Sequence, residues 1–296
     1  MKIGRSGVKI IKSVVLKNSK KNKKVEDHSI YKEIIDIPYK NDNKECHKFD
    51  LFFAKENRKD CLIIDIHGGA YIFGSRKDNF LFGTKFLEQG YDFAAIDYEV
   101  NNGKKDTLEL IEDCLSCVSY IIKNKKELGI DYDKFVITGD SAGGHLALIV
   151  SELFADKSMQ KLFDVELPEM NLLCTLINCP VYDFENCGLN QMTEGGRKRL
   201  FGPDISSVHM KLLSPKTYFE KFNKPLFVSS CKNDFLLNES LNLKKDAELY
   251  NKENFKFVFI DSDEKEIWHV HNILNLDHEL SKRVNNEMID FINKYC

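Results

Sequence analysis

A serine, an acid and a histidine can cleave an acyl bond when a fold brings them into hydrogen-bonding reach and aims backbone amides at the charge that develops. Residues 139–143 read Gly-Asp-Ser-Ala-Gly, between the apolar run that starts at Lys134 and another that starts at Ala142. A GxSxG placed between a strand and a helix is the setting of a nucleophile elbow. Small residues two positions either side let the chain turn tightly and lift Ser141 Oγ above the sheet end. The bland alternative is a glycine-rich turn with a passive serine; the strand, the helix and a further glycine at 144 speak against it.

Residues 63–74 read IIDIHGGAYIFG. A β-branched run that ends in His67-Gly68-Gly69 marks a turn or a place where something approaches the backbone closely. With a serine nucleophile in the same chain, the second fits. The Gly68 and Gly69 amides, unhindered by a Cβ, and the Ala142 amide beside the nucleophile are the expected donors to an oxyanion. His67 is then expected to brace the loop by hydrogen bonds, not to act as a catalyst.

The acid has two candidates at strand ends, Asp234 after PLFVSSCKN and Asp183 after NCPVY. The base must follow the acid in the order Ser, Asp, His. His28 and His47 precede the sheet core, His145 lies one turn into the elbow helix, His209 falls in an inserted segment, and His278 sits just before the last helix. That leaves His269 and His271 in IWHVHNIL. Trp268, the one tryptophan, is adjacent and should report on the site through its fluorescence.

These residues need a scaffold, and the pattern supplies one. YKEIIDIPY and HKFDLFFA read as two antiparallel strands. CLIIDIH, DFAAIDY, KFVITGD, LLCTLINCPVY, PLFVSSC and FKFVFID then alternate with helical stretches near 78–89, 106–127, from Ala142, from Ser240 and from Ser281. Strands that alternate with helices predict a mostly parallel central sheet with helices on both faces. Residues 183–215 break the alternation with no strand signal, and an insertion of that length reads as a lid or binding segment. Residues 1–30 stand apart as a basic segment: the first 24 residues hold nine Lys or Arg and no acid. A short apolar stripe there predicts a terminal cap helix over residues 31–296, in preference to a membrane-surface helix.

Composition narrows the function further. Net charge is −3, which argues against nucleic acid as the main partner, and no apolar run is long enough to span a membrane. Nine cysteines with no secretory signal before them predict a reducing, cytoplasmic setting. Cys114 and Cys117 form a CxxC inside a helical stretch and read as packed thiols, not a redox pair. There is no HExxH, no finger spacing, no P-loop and no GxGxxG, so neither metal nor cofactor is expected.

HGGAYIFG, DYEV at 97–100, GDSAGGHLAL, LLSP at 212–215 and CKND at 231–234 together resemble the α/β-hydrolase family, in particular its hormone-sensitive-lipase-like esterase branch. The likeness covers residues 31–296. It implies a Ser–Asp–His triad, an oxyanion hole from the HGG loop, no cofactor, and a cap built from the N-terminal segment and the insertion. Asp234 matches the family's acid position, and His269 matches its histidine, with His271 kept as the alternative base. Ala70 stands where the family often has a third glycine. The resulting expectation is a carboxylesterase for small to medium apolar esters, with Tyr71, Phe73, Phe184, Phe201 and Met210 near the pocket. An amidase or formamidase on the same triad is the alternative, and a non-catalytic ligand-binding protein a weaker one.

Overall fold

The computed structural model describes residues 29–101, 104–187, 202 and 206–296. The basic segment 1–28, the middle of the 183–215 insertion, Phe201 and the side chain of His209 lie outside the described residues.

The chain opens with β1 (Tyr31–Pro38), β2 (Lys48–Ala54), β3 (Leu62–Ile66), α1 (Phe80–Leu87), β4 (Asp92–Ile96) and α2 (Thr107–Lys123). It continues with β5 (Lys134–Asp140), α3 (Ala142–Ala155), α4 (Lys157–Leu162), β6 (Asn171–Asn178) and α5 (Ser207–Leu212). It closes with β7 (Leu226–Cys231), α6 (Leu237–Leu249), β8 (Phe255–Ile260), α7 (His271–Leu274) and α8 (Glu279–Ile292). One eight-stranded sheet runs β1-β2-β4-β3-β5-β6-β7-β8. β2 pairs antiparallel with β1 and β4, and every other pair is parallel.

The central strands are buried on both faces, so their sequences are almost continuously apolar. The pleat still sorts them. Leu62, Ile64 and Ile66 of β3 join one core with α2, α3 and α6, while Ile63 points to the other with α1 and α8. β4 splits likewise, Ala94 and Ile96 against Phe93 and Ala95. Cys114 and Cys117 sit fully buried on α2 within the first core, where cysteine behaves as a small hydrophobe. A capping box, Asp106 with Glu109, starts α2. Parallel strands place all their C-terminal ends on one side. The loops that leave β3, β5, β7 and β8 therefore open together, and they carry residues 67–79, 141, 232–236 and 261–270. Among the described residues, no helix is long and apolar enough to cross a membrane.

Candidate active site

Ser141 holds φ +53°, ψ −118°, a left-handed backbone that a serine adopts only under constraint. The constraint is visible in its neighbours. A Cβ on Gly139 would lie 2.4 Å from the Gly143 carbonyl oxygen, and one on Gly143 would lie 2.0 Å from that of Ile66. The Ser141 amide donates to the Asn178 carbonyl at 2.8 Å, which pins the turn to β6.

The raised hydroxyl of Ser141 meets His269. Oγ stands 2.8 Å from Nε2, and Nδ1 stands 2.6 Å from Asp234 Oδ1. Asp234 is almost wholly buried. Burial pushes its carboxyl up, yet the facing His269, the Leu236 amide at 2.9 Å and the Ser230 hydroxyl at 2.8 Å together hold it below its ordinary value. An ionised Asp234 can only accept, so Nδ1 carries the imidazole proton and Nε2 is left to accept from the Ser141 hydroxyl. The Phe235 ring packs 4.1 Å from the imidazole centroid.

The rival candidates lie elsewhere. Asp183 accepts from Lys216 Nζ at 2.9 Å and from the Asn186 amide. His271 is buried with Nδ1 2.9 Å from Ser281 Oγ, and burial lowers its pKa to about 4. His145 is likewise lowered to about 4 by burial, with Nε2 donating to the Leu213 carbonyl at 2.7 Å. His278 caps α8 by accepting from the Leu280 amide.

The glycine loop differs in one respect from the expectation. The Gly68 amide donates to Asp140 Oδ1 at 2.9 Å, which commits it away from any oxyanion. Asp140 needs that donor because it is buried, and a Cβ at 68 would stand 2.3 Å from its Oδ2. Among the described residues the Gly69 and Ala70 amides donate to nothing, and Ala142 begins α3, where the first amides have no helical partner. Ala70 holds φ +52°.

Behind the loop, the Asn79 amide bridges Asp140 Oδ1 at 2.8 Å and Asp65 Oδ2 at 3.1 Å. Burial first, then the Asp140 charge, pushes the Asp65 carboxyl up to about 8. His67 stacks on Tyr98 at 4.4 Å, its Nδ1 2.7 Å from the Gly68 carbonyl and its Nε2 3.5 Å from Asp97. Arg76 fixes the far end of the loop: buried, it reaches Asp50 at 2.9 Å and also pairs with Asp97, Asp36 and Glu45.

Tyr71, Phe184 and Met210 join the core. Tyr71 Oη is 3.2 Å from His145 Nδ1, and Phe184 stacks on His145 at 4.7 Å. Phe73 is buried beside the loop. Asn79, Asp140, Arg76, Cys179 and Ser230 escaped the sequence reading. Only Ser230, four residues before Asp234 at a strand end, carried a local signal.

Among the described residues, two donor groups converge within 4.8 Å, Cys46-His47-Glu99 and Cys179-Asp234-His269. In the second the carboxylate and imidazole already bind each other.

The BD-FAE family model matches residues 49–248, more than half of the chain. The chain belongs to the BD-FAE family. The match spans β2 to α6 and so contains Ser141, the glycine loop and Asp234, though not His269. The BD-FAE chain superposes on esterase B from Lactobacillus rhamnosis, inhibited with a tributyrin phosphonate, with a TM-score of 0.85 at 21% identity, covering 98% of this chain and 94% of that one. It superposes on a bacterial heroin esterase with a TM-score of 0.68 at 14% identity, covering 98% and 90%. These likenesses make the fold an α/β-hydrolase fold. In sequence, it is 28% identical over 102 residues to "Probable isoprenylcysteine alpha-carbonyl methylesterase ICMEL1" of Arabidopsis thaliana, over 34% of this chain and 21% of that protein. The BD-FAE chain thus aligns with only about a fifth of that relative's length.

Proposed function

We propose that this protein is a serine carboxylesterase that acts on small to medium apolar esters. The observation that carries the reading is the continuous chain Ser141 Oγ–His269–Asp234, with contacts of 2.8 and 2.6 Å. His269 takes the Ser141 proton at Nε2 as Oγ attacks the ester carbonyl, and Asp234 holds the imidazolium that forms. The Gly69, Ala70 and Ala142 amides receive the oxyanion, with Gly68 replaced in that role by Ala70. His269 returns the proton to the departing alcohol, and water then resolves the acyl-enzyme by the same route. Tyr71 and Phe73 are buried on the glycine loop itself, with Phe184 packed on Tyr71 and Met210 in the same core as Tyr71, an apolar setting that favours an acyl group without charge. Phe201 lies outside the described residues. The Lactobacillus and heroin esterases and the methylesterase all bear ester-cleaving names, which supports an ester over an amide.

The test is hydrolysis of p-nitrophenyl butyrate by wild type and Ser141→Ala. Turnover that falls by about 10⁴-fold or more in the variant, with the fold intact by circular dichroism, supports the reading. Equal rates in both proteins, or none in wild type on esters from acetate to octanoate, would overturn it.

A further inference from the structure

Far from Ser141, at the opposite end of β3, two thiols touch. Cys61 Sγ lies 3.2 Å from Cys296 Sγ, with both cysteines reduced. Cys61 is fully buried and Cys296 exposed. Three bonds hold the C-terminal segment against the starts of β3, β4 and β5. Lys59 Nζ donates to Asn293 Oδ1 at 2.9 Å, the Tyr91 hydroxyl donates to the same oxygen at 2.6 Å, and Lys134 Nζ donates to the Cys296 carbonyl at 3.1 Å. The sulfurs are a small side-chain adjustment short of the roughly 2.0 Å of a disulfide.

We propose that Cys61 and Cys296 form a reversible disulfide when the protein meets a hydroperoxide, stapling the end of α8 to the start of β3. The setting suits this chemistry. Cys296 carries the more acidic thiol: the Cys61 contact, then the Tyr91 hydroxyl and the Lys134 and Lys59 ammoniums, outweigh its partial burial. The Cys296 sulfur, on the more acidic and less buried residue, is thus the nucleophile and that of Cys61 the resolving partner. The Cys296 thiolate attacks one peroxide oxygen, the O–O bond breaks, and hydroxide or alkoxide leaves; the sulfur has lost two electrons and is a sulfenic acid. Cys61 sulfur then displaces that oxygen. The S–S bond forms, the S–O bond breaks, and the Cys61 proton leaves with the oxygen as water. A dithiol reductant reverses the step by exchange.

The staple acts on a helix that holds the site. Ser281 of α8 bonds His271, and Asn285 of α8 bonds Asn272 through both its amide oxygen and its nitrogen. Both partners lie just after His269, two and three residues on. Linking positions 235 residues apart restricts the unfolded chain and leaves the native contacts in place.

The experiment treats the full chain with hydrogen peroxide, alkylates it, and maps it by mass spectrometry without reduction, beside thermal unfolding with and without dithiothreitol. The expected result is a peptide linking Cys61 to Cys296 and a melting temperature higher by about 5 °C or more, reversed by the reductant. Cys296→Ser should lose both, and Cys61→Ser should lose the linked peptide. Cys296 recovered as a free thiol or a higher oxide, or joined to Cys174 or a second chain, would overturn the proposal. So would a linked peptide that leaves the melting temperature unchanged.

Discussion

Val270 donates its backbone N–H to the sulfur of Cys179 at 3.3 Å, and both residues hold left-handed backbone, at φ +51° and +48°. A β-branched residue in that region is strained in isolation. Here the strain is carried by the sheet, because the Cys179 amide is itself fixed on the Ser229 carbonyl at 2.8 Å. The residue next to His269 is thereby tied to β7 through the chain just beyond β6. Cys179→Ala should leave the Val270 amide buried without a partner, at a cost of about 1–3 kcal/mol. Turnover of p-nitrophenyl butyrate should fall while KM holds, and Cys179→Ser should recover much of it. Denaturant titration and steady-state kinetics on the three proteins check both effects; unchanged turnover in the alanine variant would show that the sulfur does not steady the histidine.

Asp65 makes stability depend on pH. Its carboxyl titrates near 8 when folded, above its unfolded value, so between about pH 4 and 8 the folded state binds the extra proton. The contribution of this group to stability therefore declines as pH rises through that window. Asp65→Asn keeps an oxygen for the Asn79 amide and removes the titration. Its stability relative to wild type should improve from pH 5 to pH 8 by roughly 3–4 kcal/mol. Urea unfolding at the two pH values measures it, and parallel curves would sink the idea.

Adjacent glycines of the elbow should behave differently. A Cβ at 143 would sit 2.0 Å from the Ile66 carbonyl oxygen, whereas one at 144 would sit 3.2 Å from the Pro180 ring. Backbone cannot yield the first, while a few tenths of an ångström resolve the second. Gly143→Ala should lose about 3 kcal/mol or more, and Gly144→Ala should stay within about 1 kcal/mol, since alanine favours the helix. Similar melting temperatures for the two variants would contradict this geometry.

Trp268 is half-buried and precedes His269. Covalent labelling of Ser141 with an alkyl phosphonate should shift its emission, and Ser141→Ala should show no shift under the same treatment. An identical spectrum after confirmed labelling would argue that the label does not reach the indole's surroundings.

The features legible in the sequence were those whose demands are local. The elbow glycines answer contacts within one turn and the neighbouring strand, and the strand–helix alternation follows from burial on both sheet faces. His269 and His271 were separable only by analogy, because a left-handed valine between them sends one ring to Ser141 and the other to Ser281. No propensity predicts that turn. The commitment of the Gly68 amide was equally hidden. It depends on Asp140, 72 residues away, which a motif treats as a free position. Arg76 was silent for the same reason, since its four acids come from three separate stretches of chain.

The strand order bears on how the molecule is born. Ser141 reaches His269 across 128 residues, and His269 is made only after β8, an edge strand that pairs with β7. During synthesis the elbow strand β5 emerges with its partner β3 already made and meets its other partner β6 next, so Ser141 is in place long before His269 exists. A nascent chain that has not yet docked β8 lacks the Ser141–His269 contact. Refolding experiments should therefore see helicity return first and hydrolysis last, with the lag set by the seating of the final strand and not by the turn that bears the serine.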